Sequence, residues 1–219
     1  MTRADDVAAA VGAVRERIAA AAARAGRDPA SVTLVAVGKT KPLEDLLEAC
    51  AAGVTHFGEN RVQEAETKFP LLPAGVTRHL VGPIQSNKAN RAAKIAEVVQ
   101  TVDSVDIARR LARGAEAAGK RLRVLIEVRL GGEATKAGVS PEEVAALAGA
   151  VRELSALDLT GLMTIPPPGE TRPHFAALRR LGEGLSLPDL SMGMSDDFEA
   201  AIEEGATLVR VGTAIFGSR

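Results

Sequence analysis

Residues 32–41 read VTLVAVGKTK, and this stretch begins the strand–helix alternation that decides the fold. Its first six residues are apolar or β-branched, Pro29 precedes them, and a polar segment ending at Pro42 follows them. This pattern is typical of a buried β-strand. We therefore predict a strand over Val32–Val37, followed by a helix over Leu43–Ala52.

The same alternation continues along the rest of the sequence. An amphipathic helix over Asp5–Ala25 precedes the first strand, and Gly26 ends it. The further predicted strands are Thr55–Phe57, Thr77–Val81, Val98–Val102, Leu122–Leu130, Leu157–Met163, Leu187–Met192 and Thr207–Val211. The predicted helices between them are Arg61–Lys68, Lys88–Ala96, Val105–Ala118, one that begins at Ser140-Pro141-Glu142-Glu143, Arg172–Gly184 and Asp196–Glu204.

Eight strands with intervening helices predict an α/β fold, a (β/α)8 TIM barrel, as one domain over residues 1–219. Residues 1–27 form an extra N-terminal helix that we expect to pack on the barrel. A doubly wound sheet is the alternative, but the usual G-x-G-x-x-G fingerprint does not follow the first strand. In a barrel, functional groups lie at the C-terminal ends of the strands.

Composition narrows the classes of function. The chain has 27 basic and 28 acidic residues and a formal net charge of −1, which gives no electrostatic case for nucleic acid or an anionic membrane. A single cysteine excludes an internal disulfide and fits a reducing compartment. No segment has the apolar length of a signal core or a membrane span. We therefore expect a cytoplasmic protein.

Lys39 lies at the mouth of the first predicted strand, half in and half out of the core. Apolar surroundings disfavour the charged ammonium, and a neutral amine can attack a carbonyl carbon to form a Schiff base. The alternative is an ordinary lysine whose ammonium reaches solvent from a strand end. The loops at the other strand ends bear on this choice.

Two loops suited to phosphate follow the last two strands. They read MGMSDD (residues 192–197) and RVGTAIFG (residues 210–217). Barrels commonly hold phosphate at these positions, where glycines let the backbone approach an anion, and Ser195 and Thr213 offer hydroxyl donors. Ser195 also precedes a predicted helix whose N-terminal amides favour negative charge. For either loop alone, turn glycines and an N-cap serine are the alternative. Together with Lys39, the loops indicate pyridoxal 5′-phosphate (PLP) or a phosphorylated carbonyl substrate.

Other polar residues at strand ends are less specific. Arg210 is placed to reach a cofactor ring or phosphate, or to form a solvent salt bridge, and Asn60 is a candidate neighbour of the ring or the lysine. We interpret His79 as a hydrogen-bonded core histidine rather than a catalytic base. The loop Gly131–Gly138 is predicted to be mobile. The His, Cys and carboxylate residues show no metal-ligand spacing, so we predict no metal.

The segments VAVGKTKP, FGENRVQE, HLVGPIQSNK, EATKAG, GLMTIPPP and LSMGMSDDFEAAIEEGATLVRVGTAIFG together resemble the pyridoxal phosphate homeostasis protein family (the YggS/PROSC family). This family is related to the N-terminal half of alanine racemases, and the resemblance covers nearly the whole chain. It implies a fold-type III PLP-binding barrel in which Lys39 forms the Schiff base with the cofactor. The implied contacts are Lys39 at the Schiff base, Asn60 near the lysine and the cofactor, Arg210 near the ring, and Ser195, Gly212 and Thr213 at the phosphate.

Two residues depart from the family pattern. Arg61 stands where the family usually has Tyr, and Arg129 stands where it usually has Asn. Either change alters the rim of the expected site, and neither removes an expected cofactor contact.

The resemblance implies a carrier or buffer of PLP in intracellular homeostasis, with little or no catalytic turnover. A PLP-dependent amino-acid racemase is the alternative, but alanine racemases use a lysine and a tyrosine as their two bases. This chain contains no Tyr, and we expect no second domain to supply one. A Schiff-base aldolase without cofactor is the second alternative. We expect PLP as ligand, apo PLP-dependent enzymes as candidate recipients, no nucleic-acid or membrane partner, and a monomer.

Overall fold

Eight parallel strands close into a barrel in the computed structural model, which describes residues 2–131 and 137–217. Each strand pairs with the next along the chain, and the last pairs with the first, with Leu34 opposite Val209. The predicted (β/α)8 barrel is confirmed. All strands run the same way, so their C-terminal ends meet at one mouth of the barrel.

The strands are β1 (Thr33–Val37), β2 (His56–Glu59), β3 (Thr77–Leu80), β4 (Val98–Val102), β5 (Leu122–Glu127), β6 (Leu157–Met163), β7 (Asp189–Ser191) and β8 (Leu208–Val211). The α-helices in the described residues are α1 (Arg3–Arg24), α2 (Leu43–Ala51), α3 (Val62–Lys68), α4 (Ala89–Ile95), α5 (Val105–Ala117), α6 (Val144–Arg152), α7 (Arg172–Leu185), α8 (Phe198–Glu203) and α9 (Thr213–Phe216). Short 3₁₀ turns occupy Pro29–Ser31, Phe69–Leu71, Ser86–Lys88 and Pro141–Glu143.

The N-terminal helix α1 packs against α2, α8 and α9 on the outside of the barrel. Its buried side chains recur at helical spacing, as Val7, Val11 and Val14 illustrate, so one apolar stripe faces the barrel. A capping box at Thr2 begins the helix, because the Thr2 hydroxyl accepts from Asp5 and the Asp5 carboxylate accepts from the Thr2 amide.

The main apolar core lies between the strands and the surrounding helices. Phe57, Leu80, Leu122 and Leu162 are among its fully buried members. Burying a side chain of this size contributes about 1.5–3 kcal/mol, so this layer is the principal source of the fold's stability. A separate small cluster contains Val98, Leu125 and Met163, one residue from each of three neighbouring strands.

Six strands differ from the predicted bounds, and three of them, β2, β5 and β7, differ by two residues or more at one end. Strand β2 continues to Glu59, because its pairing with β3 extends to the end of both strands and overrides the turn-like Gly-Glu-Asn sequence. Strand β5 ends at Glu127, because the residues that follow it pair with Val139 of the returning loop. Strand β7 is shorter at both ends than Leu187–Met192.

Membrane-spanning helices and clusters of metal ligands are both absent from the described residues. None of their helices has the length and apolar character needed to cross a membrane. No group of three or more His, Cys, Asp or Glu in residues 2–131 and 137–217 is arranged to hold a metal ion. Within the predicted mobile loop Gly131–Gly138, residues 132–136 lie outside the described part of the chain.

Candidate functional site

A cavity of about 340 Å³ opens at the C-terminal ends of the strands. Its volume lies in the range of small-ligand sites. It is lined by Val37, Lys39, Asn60, Val81, Ile165, Met194, Ser195, Asp196, Arg210, Gly212 and Thr213. All six residues predicted as cofactor contacts from the sequence are in this set. The structure thus brings together residues from the ends of β1, β2, β7 and β8.

Lys39 occupies a tight turn directly after β1. The Lys41 amide donates to the Gly38 carbonyl at 3.0 Å, and Thr40 adopts a left-handed φ of 63°. A β-branched residue is rarely found in this region, which marks the turn as strained. Lys39 is exposed at the mouth of the barrel and lines the cavity together with the apolar residues Val37 and Val81. The turn carries the lysine past the end of the strand into the open mouth.

Side chains at the end of β2 and on α3 hold this turn in place. The Lys68 ammonium donates to the Gly38 carbonyl at 2.9 Å and to the Glu59 carboxylate at 2.8 Å. The Glu64 carboxylate accepts from the Thr40 amide at 3.0 Å. The peptide groups on both sides of Lys39 are therefore anchored, and we name Glu59, Glu64 and Lys68 the turn anchor.

The turn anchor is an electrostatic cluster in the protein interior. Glu59 is fully buried, and one of its carboxylate oxygens has no hydrogen-bond partner. Burial raises the pKa of Glu59, and the hydrogen bond and charge of Lys68 oppose that rise. Sequence reasoning missed this cluster because Glu59 was assigned to a loop. The spacing of Glu64 and Lys68, four residues apart on one helix face, was the available signal.

The loops after β7 and β8 meet through Ser195. Its hydroxyl accepts from the Ala214 amide at 3.2 Å, at the first turn of α9. The predicted helix start at Asp196 is wrong, because α8 begins at Phe198 and Ser195 is not its N-cap. The Ser195 hydroxyl and the exposed Thr213 side chain therefore face the same cavity from two different loops.

The glycines in these loops have packing roles. A Cβ atom on Gly193, which has a φ of 90°, would come within 2.6 Å of the Ala201 side chain. Gly193 therefore accommodates α8, and it is not among the residues that line the cavity. A Cβ atom on Gly212 would lie 3.1 Å from the Val37 carbonyl oxygen, so glycine there lets β8 close tightly onto β1 beside the cavity.

Arg210 forms the buried, charged floor of the cavity, with 4% of its surface exposed. Its guanidinium donates to the Ser191 hydroxyl at 2.7 Å and to the Thr164 carbonyl at 2.9 Å. Burial lowers the pKa of Arg210 to about 10, and the carboxylates of Glu127 and Asp197 oppose this. Arg210 therefore remains a cation at neutral pH and forms no solvent salt bridge in the described structure.

Glu127, at the end of β5, is a buried carboxyl that sequence reasoning missed. One of its oxygens has no hydrogen-bond partner. Burial and, to a smaller extent, the charge of Asp103 raise the pKa of Glu127 to about 7, against the opposing charge of Arg210. The surroundings of Glu127 thus make a proton-binding group near neutral pH beside the charged floor of the site.

The two residues that depart from the family pattern both lie outside the cavity lining. Arg61 is exposed before α3, with its guanidinium 4.0 Å from the Glu64 carboxylate. The Arg129 guanidinium donates to the Gly138 carbonyl at 2.8 Å, which joins the two described ends of the loop after β5. His79 is fully buried and hydrogen-bonded, as predicted, and does not line the cavity.

Comparison with known proteins agrees with this architecture. The family model described as alanine racemase, N-terminal domain, matches residues 10–219. The chain is similar to the pyridoxal phosphate homeostasis protein of Pseudomonas aeruginosa, with 49% identity over 94% of this chain and 93% of that protein. It is 42% identical to the protein of the same name from Escherichia coli, over 98% of this chain and 97% of that one.

A solved structure shows the same likeness in three dimensions. The PipY protein of Synechococcus elongatus, solved with PLP bound, is 40% identical and superposes with a TM-score of 0.81, covering 93% of this chain and all of that one. The chain therefore belongs to the pyridoxal phosphate homeostasis protein family, within the broader family of alanine racemase N-terminal domains.

Proposed function

We propose that this protein binds PLP at the barrel mouth and holds it through a Schiff base on Lys39, as an intracellular carrier or buffer of the cofactor with little or no catalytic turnover. The observation that supports this most directly is the convergence of Lys39, Asn60, Ser195, Arg210, Gly212 and Thr213 on one cavity. These residues come from four different strand ends, and local sequence patterns alone do not require that they meet.

The chemistry of the cavity fits the proposed ligand. PLP carries an aldehyde, an aromatic ring and a phosphate, and when bound its aldehyde carbon accepts a lysine amine with loss of one water molecule. Lys39 presents its amine in an exposed turn, and the Ser195 and Thr213 hydroxyls face the cavity from the two phosphate-suited loops. Val37 and Val81 contribute apolar surface suited to a ring.

The remaining site residues have distinct roles under this proposal. Arg210 offers a fixed positive charge at the floor, which disfavours protonation of a pyridine nitrogen placed beside it. An unprotonated ring withdraws electrons poorly, which is consistent with holding the cofactor rather than using it in catalysis. The turn anchor keeps Lys39 in position, and Asn60 supplies an uncharged amide near the lysine.

A racemase has less support from this site. Two-base racemisation requires a second proton acceptor opposite the lysine. Among the described residues that line the cavity, Asp196 is the only ionisable group besides Lys39 and Arg210, and it is exposed. A cofactor-free aldolase is compatible with Lys39 but leaves the match to a PLP-bound relative without a role.

Absorbance spectroscopy tests the proposed attachment. We expect purified protein incubated with PLP to show a Schiff-base band near the visible region, and Lys39→Ala to lose it. Lys41→Ala, changed two residues along the same loop, is the matched control and is expected to keep the band. A colourless wild-type protein that PLP cannot reconstitute would contradict the proposal.

Cofactor transfer and racemisation assays separate the proposed roles. A carrier is expected to restore activity to an apo PLP-dependent enzyme, and Lys39→Ala loaded under the same conditions is expected to restore less. Alanine racemisation by the wild-type protein that disappears in Lys39→Ala would favour the racemase alternative.

A further inference from the structure

Four hydrogen bonds connect five polar side chains inside the barrel. The Arg210 guanidinium donates to the Ser191 hydroxyl at 2.7 Å, and that hydroxyl donates to the Gln100 side-chain carbonyl at 2.7 Å. The Gln100 amide nitrogen lies 3.0 Å from His79 Nδ1, and His79 Nε2 lies 2.9 Å from His56 Nδ1. We call this set the barrel relay. It begins at the mouth and ends at the first residue of β2.

The relay is unusual for the interior of a parallel barrel, which is normally filled by branched apolar side chains. Gln100, His79 and Ser191 are all fully buried, and each has polar groups that would be costly to leave unpaired. The Gln100–Ser191 bond joins strands β4 and β7 across the barrel, between residues 91 positions apart. A polar set of this kind is retained in a core only when every member is satisfied.

Arg210 sets the direction of every bond in the relay. A guanidinium has only donors, so the Ser191 hydroxyl must accept a hydrogen bond from Arg210. The same hydroxyl donates its own hydrogen bond to the Gln100 side-chain carbonyl. Gln100 then uses its carbonyl toward Ser191 and its amide N–H toward His79. His79 accepts at Nδ1, which leaves its single proton on Nε2, and it donates to His56 Nδ1.

The direction of these hydrogen bonds requires that both histidine rings be uncharged, and their surroundings favour the uncharged form. Burial, together with the neighbouring His56 and Arg123, lowers the pKa of His79 to about 3. Burial also lowers the pKa of His56. Each ring then has one N–H at neutral pH, located on either Nδ1 or Nε2, and its hydrogen bonds decide between these two tautomers.

We propose that Ser191, Gln100 and His79 are positioning residues for Arg210, and that the barrel relay fixes the orientation of the guanidinium toward the cofactor ring. The relay and the Thr164 carbonyl engage two of the guanidinium nitrogens from below. Arg210 also lines the cavity, so these bonds hold the guanidinium beside the proposed cofactor site. This inference rests on the proposed function only for the identity of the ring, because the direction of the relay is a property of the protein alone.

Histidine NMR tests the relay without any cofactor. The chain has three histidines, so the variant His174→Gln leaves only the two rings of the relay. At about pH 7.5, well above the ordinary imidazole pKa of about 6.5, we expect both rings as Nε2–H tautomers. We expect Ser191→Ala and Gln100→Leu to shift the His79 Nδ1 resonance. A proton on His79 Nδ1 in the wild-type relay would overturn the proposed direction.

PLP titration tests the positioning role. We expect Ser191→Ala and Gln100→Leu to weaken PLP binding by about five- to tenfold and to move the absorbance maximum of the bound form, because Arg210 loses its fixed orientation. Ser191→Thr keeps the hydroxyl and is expected to restore the band position. Thr101→Val is the matched control, since it removes a buried hydroxyl from the same strand as Gln100 but outside the relay.

The results distinguish a failure of the positioning role from a failure of the proposed function. If Ser191→Ala and Gln100→Leu match Thr101→Val in both affinity and band position, the positioning role is wrong. If Gln100→Leu does not fold, Ser191→Ala, the smaller change, decides. If wild-type protein forms no band at all, the proposed function fails, whereas the tautomer measurement still decides whether the relay exists.

Discussion

At the residue scale, Glu127 is a buried carboxyl group whose pKa lies near neutrality. Its pKa is raised from 4.5 to about 7, first by burial and then by Asp103. The folded state therefore binds this proton more tightly than the unfolded chain does. The contribution of this group to stability is fully present below about pH 4.5 and is lost as the pH rises to about 7.

We predict that Glu127→Gln stabilises the protein relative to wild type by an amount that grows between pH 4.5 and 7. A glutamine stays neutral, so it does not incur the cost of a buried carboxylate. One pKa unit corresponds to about 1.4 kcal/mol, so the rise from 4.5 to about 7 gives an expected gain on the order of 3.5 kcal/mol above pH 7. Urea unfolding at several pH values measures it, with the exposed Glu16→Gln as control. A difference that stays constant with pH would show that Glu127 does not titrate in this range.

At the scale of elements, α3 contributes more than packing to the site. Its residue Lys68 neutralises the fully buried Glu59 and holds the Gly38 carbonyl, while Glu64 holds the Thr40 amide. Only 12% of the Lys68 side chain is exposed, so this is an interior ion pair. Removing one partner of such a pair leaves an uncompensated buried charge.

We predict that Lys68→Met lowers the free energy of unfolding by about 3 kcal/mol and slows the reaction of Lys39 with PLP. The stability loss follows from the unpaired Glu59, and the slower reaction follows from a less restrained turn. Urea unfolding and stopped-flow absorbance measure the two effects. Lys94→Met, on the exposed face of α4, is the control. The double variant Glu59→Gln with Lys68→Met is expected to recover part of the stability; a Lys68→Met protein as stable as the control would rule out a structural ion pair.

At the scale of the whole molecule, the distribution of exposed apolar residues bears on self-association. The large exposed ones in the described chain are Leu47, Leu71, Ile165 and Met194. Leu47 and Leu71 lie on separate elements, and the other two line the proposed cofactor site. A stable dimer usually buries about 800 Å² on each partner, with an apolar centre.

We therefore predict a monomer. Light scattering coupled to size-exclusion chromatography should give a mass of 22.7 kDa that does not change with protein concentration or with added PLP. A mass of about twice this value would contradict the prediction. In that case Leu71→Glu and Met194→Glu would show which face carries the contact.

Much of the fold was predictable because local patterns report local structure. The apolar run Val32–Val37 and the capping sequence at Ser140 indicate a strand and a helix start without knowledge of neighbours. The boundaries of β2 and β5 were wrong because each strand ends where its neighbour stops pairing. Pairing partners lie tens of residues away and leave little trace in the local sequence.

The sequence by itself determined the barrel, the lysine at its mouth and the two loops that face it, since each follows from periodicity and from the order of the elements. Only the tertiary structure decided that Lys39 is exposed in an anchored turn and that Glu127 is buried without a full set of partners. It also decided that Gln100 meets Ser191 across the barrel. The physical reason is closure: burial, charge pairing and contacts across the interior depend on which strands face one another once the eighth pairs with the first.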